Sequence, residues 1–233
     1  PVPETAATIL ARGTTESATR VVDDLFASVL QPTAITMTNI LDGEAGAPAL
    51  AVAAEGFTEA VDRHLRDVQA LAGDSGMAVE VLRGEAHDAL WARIRDFPGD
   101  LSGVPQAAAP AGRGLQSSSA AGTIRLTVPL GSVAAALGAV TALPGAVLWV
   151  AHAASGAVHV RTPAAGLADA LAALAEVARA HHGHTVLIAA PPELKQDCDV
   201  WGPPPAALGL MRAIKQEFDP KGMLNPGRFV AFL

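Results

Sequence analysis

The sequence predicts an α+β fold in which one unit occurs twice and both copies contribute strands to a single antiparallel sheet. Apolar residues alternate between the two-residue period of strands and the 3.6-residue period of helices, in the order β-α-β-β-α-β. The same order recurs after roughly one hundred residues, which indicates an internal duplication.

The first half, predicted to span residues 1–97, contains four strands and two helices. The strands are predicted at 6–12, 34–41, 49–55 and 77–82, and the helices at 15–30 and 57–72. In the second helix Val61, Leu65 and Val68 recur on one face, which is helical spacing. The turn-forming composition of residues 42–48 predicts a loop between the two middle strands.

The second half, predicted to span residues 122–192, repeats these elements. The strands are predicted at 123–128, 146–152, 157–161 and 184–189, and the helices at 132–143 and 164–181. Because the helices separate antiparallel strands, we expect them to pack on one face of a continuous sheet. The predicted architecture is therefore a duplicated ferredoxin-like domain.

Two further segments complete the predicted organisation. Residues 98–121 are rich in Pro, Gly, Ala and Ser, with few large apolar side chains, and are predicted to form a flexible linker. Residues 193–233 are predicted to form a C-terminal helix and tail. The chain begins at Pro1 without Met, which we interpret as a cut inside a longer protein.

Composition excludes several classes of protein. Half of the 233 residues are apolar, and the formal charge is −7, which argues against nucleic acid or anionic lipid as the main partner. No apolar run approaches the length of a membrane span, and no signal peptide is visible. The single cysteine, Cys198, suits a reducing compartment, so a cytoplasmic location is expected.

The C-terminal segment carries the most specific motif. Three prolines, 203–205, precede a helix that ends at Asp219, since the residue before Pro220 is driven out of helical geometry. Gly222 supplies a turn, and Asn-Pro-Gly-Arg at 225–228 follows. On composition alone, this segment would be a helix and strand that close the fold.

The order Trp-Gly-Pro-Pro, helix, Phe-Asp-Pro-Lys-Gly-x-Leu-Asn-Pro-Gly-Arg resembles the C-terminal signature of FAD-linked oxidases of the vanillyl-alcohol oxidase type. The resemblance is greatest to the FAD-binding accessory subunit of bacterial glycolate oxidase. Residues 1–5, residues 124–129 and the Leu90-Trp91…Arg95 element also resemble that family.

The resemblance implies an oxidoreductase that transfers a hydride from a 2-hydroxy acid to FAD. This chain would be its substrate, or cap, domain, with an N-terminal FAD-binding domain absent and glycolate oxidase subunits as further partners. Asn225, Gly227 and Arg228 would lie near the flavin, where an amide and a cation stabilise negative charge. The fragment alone is expected to be inactive and not to bind FAD.

Arg95 is the candidate substrate-binding residue, since a guanidinium can hold a carboxylate with two hydrogen bonds. The alternative is a solvated arginine paired with Asp96, and Arg93 offers a competing alignment with the family element.

His152 and His159 are the candidate catalytic residues. If Ser155-Gly156 forms a two-residue turn, the two imidazoles lie directly opposite each other on the sheet. Their spacing resembles the histidine hairpin of metal-dependent 2-hydroxy acid dehydrogenases, but residues 187–191 lack the further ligands of those relatives. No metal site is therefore predicted, and a simple cross-strand polar pair is the alternative.

A second function remains open from the sequence. The chain could be a non-catalytic ferredoxin-like module that binds a ligand or assembles subunits, because fold alone does not determine function.

Overall fold

The computed structural model describes residues 3–41, 45–99, 121–195 and 198–233. Eight antiparallel strands form one sheet in the order β4-β1-β3-β2-β6-β7-β5-β8. The strands are β1 (Thr5–Arg12), β2 (Ala34–Thr38), β3 (Ala49–Gly56), β4 (Ala78–Arg83), β5 (Ala121–Thr127), β6 (Leu148–His152), β7 (Ala157–Pro163) and β8 (His184–Ala189).

Seven α-helices accompany these strands in the described residues. They are α1 (Thr15–Ala27), α2 (Thr58–Asp74), α3 (Glu85–Asp96), α4 (Val133–Thr141), α5 (Leu167–Ala180), α6 (Pro192–Lys195) and α7 (Leu208–Phe218). None of the helices in the described part of the chain is long and apolar enough to cross a bilayer. Most of the predicted 98–121 linker lies outside the described residues.

The duplication predicted from the sequence is confirmed by the strand order. The order β4-β1-β3-β2 in the first half is mirrored by β6-β7-β5-β8 in the second, as expected for two copies related by a two-fold axis. The copies meet where β2 pairs with β6, Thr36 opposite His152 and Thr38 opposite Val150. Asn39 strengthens the junction, because its amide donates to Val147 O at 2.9 Å and accepts from Trp149 N at 2.8 Å.

The larger core lies between one face of the sheet and four helices, α1, α2, α4 and α5. Alternate strand residues such as Ile9, Val52 and Ile124 point into this core, where they meet helical residues such as Leu25 and Leu174. These side chains follow the two-residue and 3.6-residue periods that predicted the elements. The α+β class is therefore confirmed.

Helix α3 packs on the opposite face, which the prediction of helices on one face did not include. Leu90, Ile94 and Phe97 recur at helical spacing and bury against Leu10 and Ala51 of the sheet. The helix therefore crosses the face of the sheet that also carries the polar side chains described next.

Candidate functional site

A group of polar side chains occupies the α3 face of the sheet in the second half. Strand β5 contributes Thr123 and Arg125, and the paired strand β7 contributes Arg161 and His159 directly opposite them. His152, from β6, lies on the same face. Alternate residues of a strand share a face. The polar residues therefore lie on the face opposite the larger core, which contains the residues between them: Ile124, Leu126, Val158 and Val160.

The two histidines are in contact, but they are not directly opposite each other as predicted. Their ring centroids lie 5.6 Å apart with the planes at 79°. His152 pairs with Ala157 instead, and His159 pairs with Val150. The predicted register was wrong because residues 153–156, not two residues, connect the strands, so the imidazoles meet on a diagonal.

Both histidines favour the neutral form. Burial lowers the pKa of His152. Burial also lowers the pKa of His159 to about 4, with further contributions from His152 and the cation of Arg125. The Nδ1 atom of His152 lies 3.2 Å from the hydroxyl of Thr36, which orients the ring.

Thr123 Oγ1, Arg125 Nε and His159 Nδ1 are buried polar atoms on this face that lack a hydrogen-bond partner among the described residues. Buried polar atoms are usually paired, so three unpaired atoms on adjacent strands mark a place where a polar ligand or water would bind. Arg125 was not predicted as a site residue, although its position between the apolar Ile124 and Leu126 indicates that it lies on the face of β5 opposite the larger core.

The C-terminal end of α3 borders this polar face. The guanidinium of Arg161, itself 3 % exposed, donates to the carbonyl of Phe97 and lies 4.3 Å from the centroid of its ring. In the middle of the helix, Trp91 Nε1 donates to Thr8 Oγ1 at 2.8 Å. The same hydroxyl lies 2.8 Å from Nδ1 of the buried His87.

Arg95 is exposed to solvent and paired with Asp96, as in the alternative to a substrate-binding role. Its side chain is 73 % exposed, and its Nε lies 2.9 Å from Asp96 Oδ1. The hydrogen bond and charge of Asp96 raise the pKa of Arg95. The histidine pair and Arg95 are thus not brought together by any contact within the described ranges.

No group of three or more His, Cys, Asp or Glu side chains within the described residues is arranged to hold a metal ion.

The tail is organised around the carboxylate of Asp219. It accepts hydrogen bonds from Met223 N at 2.8 Å and Leu224 N at 2.9 Å, and Lys215 Nζ lies 2.5 Å from Oδ2. Lys215 is the main cause that lowers the pKa of Asp219 to about 2. Lys215 also donates to Leu224 O at 2.6 Å, so the chain after α7 forms a closed turn.

The Asn-Pro-Gly-Arg segment follows that turn with two residues in left-handed geometry. Asn225 has φ 46° and Gly227 has φ 69°, and Arg228 N donates to Asn225 O at 3.2 Å. Asparagine and glycine are the residues that adopt this conformation most readily.

Gly227 and Arg228 line an open cleft of about 1130 Å³. The ring of Trp201 on its wall packs edge-on against Phe229, with centroids 4.9 Å apart. Lys195 contributes a second cation to the lining. The cleft thus offers aromatic surface and positive charge.

The tail exposes apolar side chains that a closed fold would bury. They are Leu210, Ile214, Phe218, Met223, Leu224 and Phe232. The expectation that the tail simply closes the fold does not account for them.

Comparison with known families finds a match in this tail. Residues 203–229 match the family of FAD linked oxidases, C-terminal domain. The predicted resemblance to FAD-linked oxidases is therefore confirmed at the level of this motif. The match does not show a relation to the glycolate oxidase subunit in particular. The curated proteins contain no match to the chain.

The fold is similar to that of alkyldihydroxyacetonephosphate synthase, an enzyme for which two crystal forms give matches. In P212121 the TM-score is 0.55 at 11 % sequence identity, over 94 % of this chain and 43 % of that one. In P1 the TM-score is 0.44 at 13 % identity, over 76 % and 40 %. The first match shows that the fold is shared, and this chain spans less than half the length of that structure.

Proposed function

We propose that this chain is the cap domain and C-terminal tail of an FAD-dependent oxidoreductase that oxidises a 2-hydroxy acid. The observation that carries the proposal is the match of residues 203–229 to the FAD-linked oxidases. The shared fold and the histidine pair beside Arg125 support it.

The polar sheet face would bind the substrate. A neutral imidazole can take the proton of the substrate hydroxyl, and both histidines favour that state. When Nδ1–H of His152 donates to Thr36 Oγ1, Nε2 is left to accept the hydroxyl proton. We therefore assign the base to His152, and to His159 the hydrogen bond that orients the substrate.

FAD would supply the acceptor for the hydride removed from the hydroxyl-bearing carbon. Within this chain, the backbone turn at Asn225 and Gly227 and the cation of Arg228 fit a site beside a reduced, negatively charged ring system. The cleft they border also has the aromatic wall of Trp201 and Phe229.

A separate FAD-binding domain would cover the exposed apolar side chains of the tail. Leu210, Ile214 and Phe218 lie on one side of α7 at spacings of about one turn, and Met223 and Leu224 continue from that helix. An interdomain contact would bury them. Glycolate oxidase subunits are the further partners we propose.

The test uses the intact polypeptide encoded by the full reading frame that includes these residues. We expect it to purify with bound flavin. The absorbance of that flavin should be bleached when a 2-hydroxy acid is added anaerobically, and the acids tested should include glycolate and both lactates. His152→Gln should abolish bleaching while the flavin stays bound. A full-length protein without flavin, or one whose flavin no 2-hydroxy acid reduces, would overturn the proposal.

A non-catalytic assembly module is the second candidate, favoured by the exposed apolar side chains of the tail. In that case the intact protein would form a stable complex with partner subunits, and His152→Gln would change neither the complex nor its turnover.

A further inference from the structure

We infer that Arg125, Thr123 and His159 form a binding site for a single carboxylate group. The inference rests on the proposed function only for the identity of the substrate that carries the carboxylate. The site itself follows from the arrangement of these three side chains on strands β5 and β7.

The geometry places three hydrogen-bonding groups side by side. Arg125 and His159 are directly opposite each other in the antiparallel pair, and Thr123 is the next residue of β5 on the same face. Residues in these positions lie roughly 5 to 7 Å apart, a span that one carboxylate can bridge with its two oxygens. Each of the three has a buried polar atom without a partner in the described residues.

The burial of Thr123 distinguishes this arrangement from a chance surface cluster. Its side chain is fully buried, at 0 % exposure, and its hydroxyl still lacks a partner among the described residues. A hydroxyl that is withdrawn from water and left unpaired is unfavourable unless a ligand or bound water completes it. The site therefore has a fixed donor as well as a cation.

The charge of the site matches one negative charge. Arg125 forms no ion pair with a carboxylate in the part of the chain that the structure describes. Arg161, the neighbouring cation, is already engaged by the carbonyl and ring of Phe97. His159 favours the neutral form, so one unit of positive charge faces the ligand.

A carboxylate fits these groups better than phosphate or sulfate. The planar fork of a guanidinium matches the two oxygens of a carboxylate, and the charges cancel. A phosphate dianion would leave about one negative charge uncompensated in a half-buried site, which desolvation penalises. For the same reason, a dicarboxylate is disfavoured when both of its carboxylate groups lie in the site.

Ligand binding should also change the protonation of His159. A bound anion favours the charged imidazolium, so it should raise the pKa of His159 from about 4 toward its usual range. His152 and Arg125 are the titratable groups whose charges lower it in the absence of ligand.

The test is a titration of the isotope-labelled chain with acetate, glycolate, malonate, phosphate and sulfate, followed by NMR of the arginine Nε–H and histidine ring signals. Acetate and glycolate should shift the Arg125 and His159 signals along one saturable curve and raise the His159 pKa. Malonate, phosphate and sulfate should bind at least about tenfold more weakly.

Two variants make the titration specific. Arg125→Gln should abolish saturable binding, and Arg125→Lys should weaken it because the charge remains but the fork is lost. Arg95→Gln is the matched control: the exposed cation is removed in the same way, and binding should be unchanged. Backbone spectra of each variant report whether the sheet is intact.

The outcomes separate the two proposals. Binding that persists in Arg125→Gln, is lost in Arg95→Gln, or is tighter for phosphate than for acetate would overturn the carboxylate site. Equal binding of acetate and glycolate supports the site whatever the flavin chemistry is. A flavin that no 2-hydroxy acid reduces overturns the proposed function without affecting this titration.

Discussion

The guanidinium of Arg161 lies 4.3 Å from the centre of the Phe97 ring and donates to the Phe97 carbonyl. This pair joins the residue that follows α3 to strand β7 of the second half. The relationship matters for function because Arg161 is also the neighbour of Thr123 in the sheet, so the position of α3 and the polar face are coupled.

Removing this cation should loosen α3. Arg161→Met leaves the Phe97 carbonyl without its donor, and we expect a loss of about 2 to 4 kcal/mol in the free energy of unfolding. Hydrogen exchange in residues 90–97 should accelerate more than in α2. Phe97→Leu is the comparison that keeps the carbonyl and its donor, because it removes the cation–π contact, worth about 0.5 to 2 kcal/mol, together with part of the packing of the buried ring. Uniform acceleration across the sheet would contradict the specific role of the pair.

His159 should make stability depend on pH. Its pKa is about 4 in the folded chain against an ordinary 6.5, so below about pH 6.5 the unfolded chain binds a proton that the folded chain does not. Stability should therefore fall as the pH drops from 7 to 4. The full shift corresponds to about 3 kcal/mol, which solvent screening at this half-buried site reduces to roughly 1 to 2 kcal/mol.

Urea unfolding at pH 7 and pH 5 measures this effect. His159→Gln should lose less stability between the two pH values than the wild type, since its side chain does not titrate. Gln216→Ala, which removes an exposed side chain of α7 that does not titrate, is the control that should keep the wild-type pH dependence. An identical pH dependence in wild type and His159→Gln would exclude His159 as a source of the effect.

The turn between β6 and β7 should tolerate no side chain at Gly156. This residue has φ 71°, and an added Cβ would lie 1.9 Å from Val128 O. Gly156→Ala should cost about 2 to 4 kcal/mol and change the contact between the two histidine rings. Gly145→Ala is the matched control, with φ 91° but no atom within 4 Å of its Cβ, and it should cost only about 1 kcal/mol. Equal losses of stability in the two variants would show that the backbone moves to relieve the close approach to Val128.

Much of the fold could be predicted because burial imposes a period on the sequence. Strands such as β8, predicted at 184–189 and found at His184–Ala189, alternate between a helix-covered face and the other face. Helix α3 was not predicted since most of it is polar, and only Leu90, Ile94 and the following Phe97 reach the sheet. Its position depends on apolar surface on the opposite face of the sheet. The sequence of α3 itself carries no information about that surface.

The site was predicted only in part, for a similar reason. The sequence placed His152 and His159 on one face, and they are in contact, but the length of their turn set a different register. Arg125 lies far from the histidines in sequence, and only the pairing of β5 with β7 brings it beside His159. Arg95 matched a family element, whereas its local partner is the adjacent Asp96.

The carboxylate of Asp219 should determine whether the tail keeps its shape. It is 8 % exposed and accepts two backbone N–H bonds beside the Lys215 cation. Asp219→Asn removes the charge and one acceptor, so the amides of Met223 and Leu224 should lose protection from hydrogen exchange, and limited proteolysis should cut within residues 219–229. Glu217→Gln, an exposed carboxylate on the same helix, is the control and should leave that protection unchanged.

The pH dependence of the tail has the same sign as that of His159 but lies in a more acidic range. The pKa of Asp219 is lowered from 3.8 to about 2, so the folded tail holds fewer protons than the released one between these values. The stabilisation is complete above the ordinary pKa and is lost as the pH falls through about 2. Protection of Met223 and Leu224 should thus persist at pH 5 in the wild type and disappear only in strong acid.

In the intact protein, the same Asp219→Asn change should weaken flavin binding if Asn225 and Arg228 contact the flavin. Unaltered flavin affinity with a released tail would remove both residues from the cofactor site.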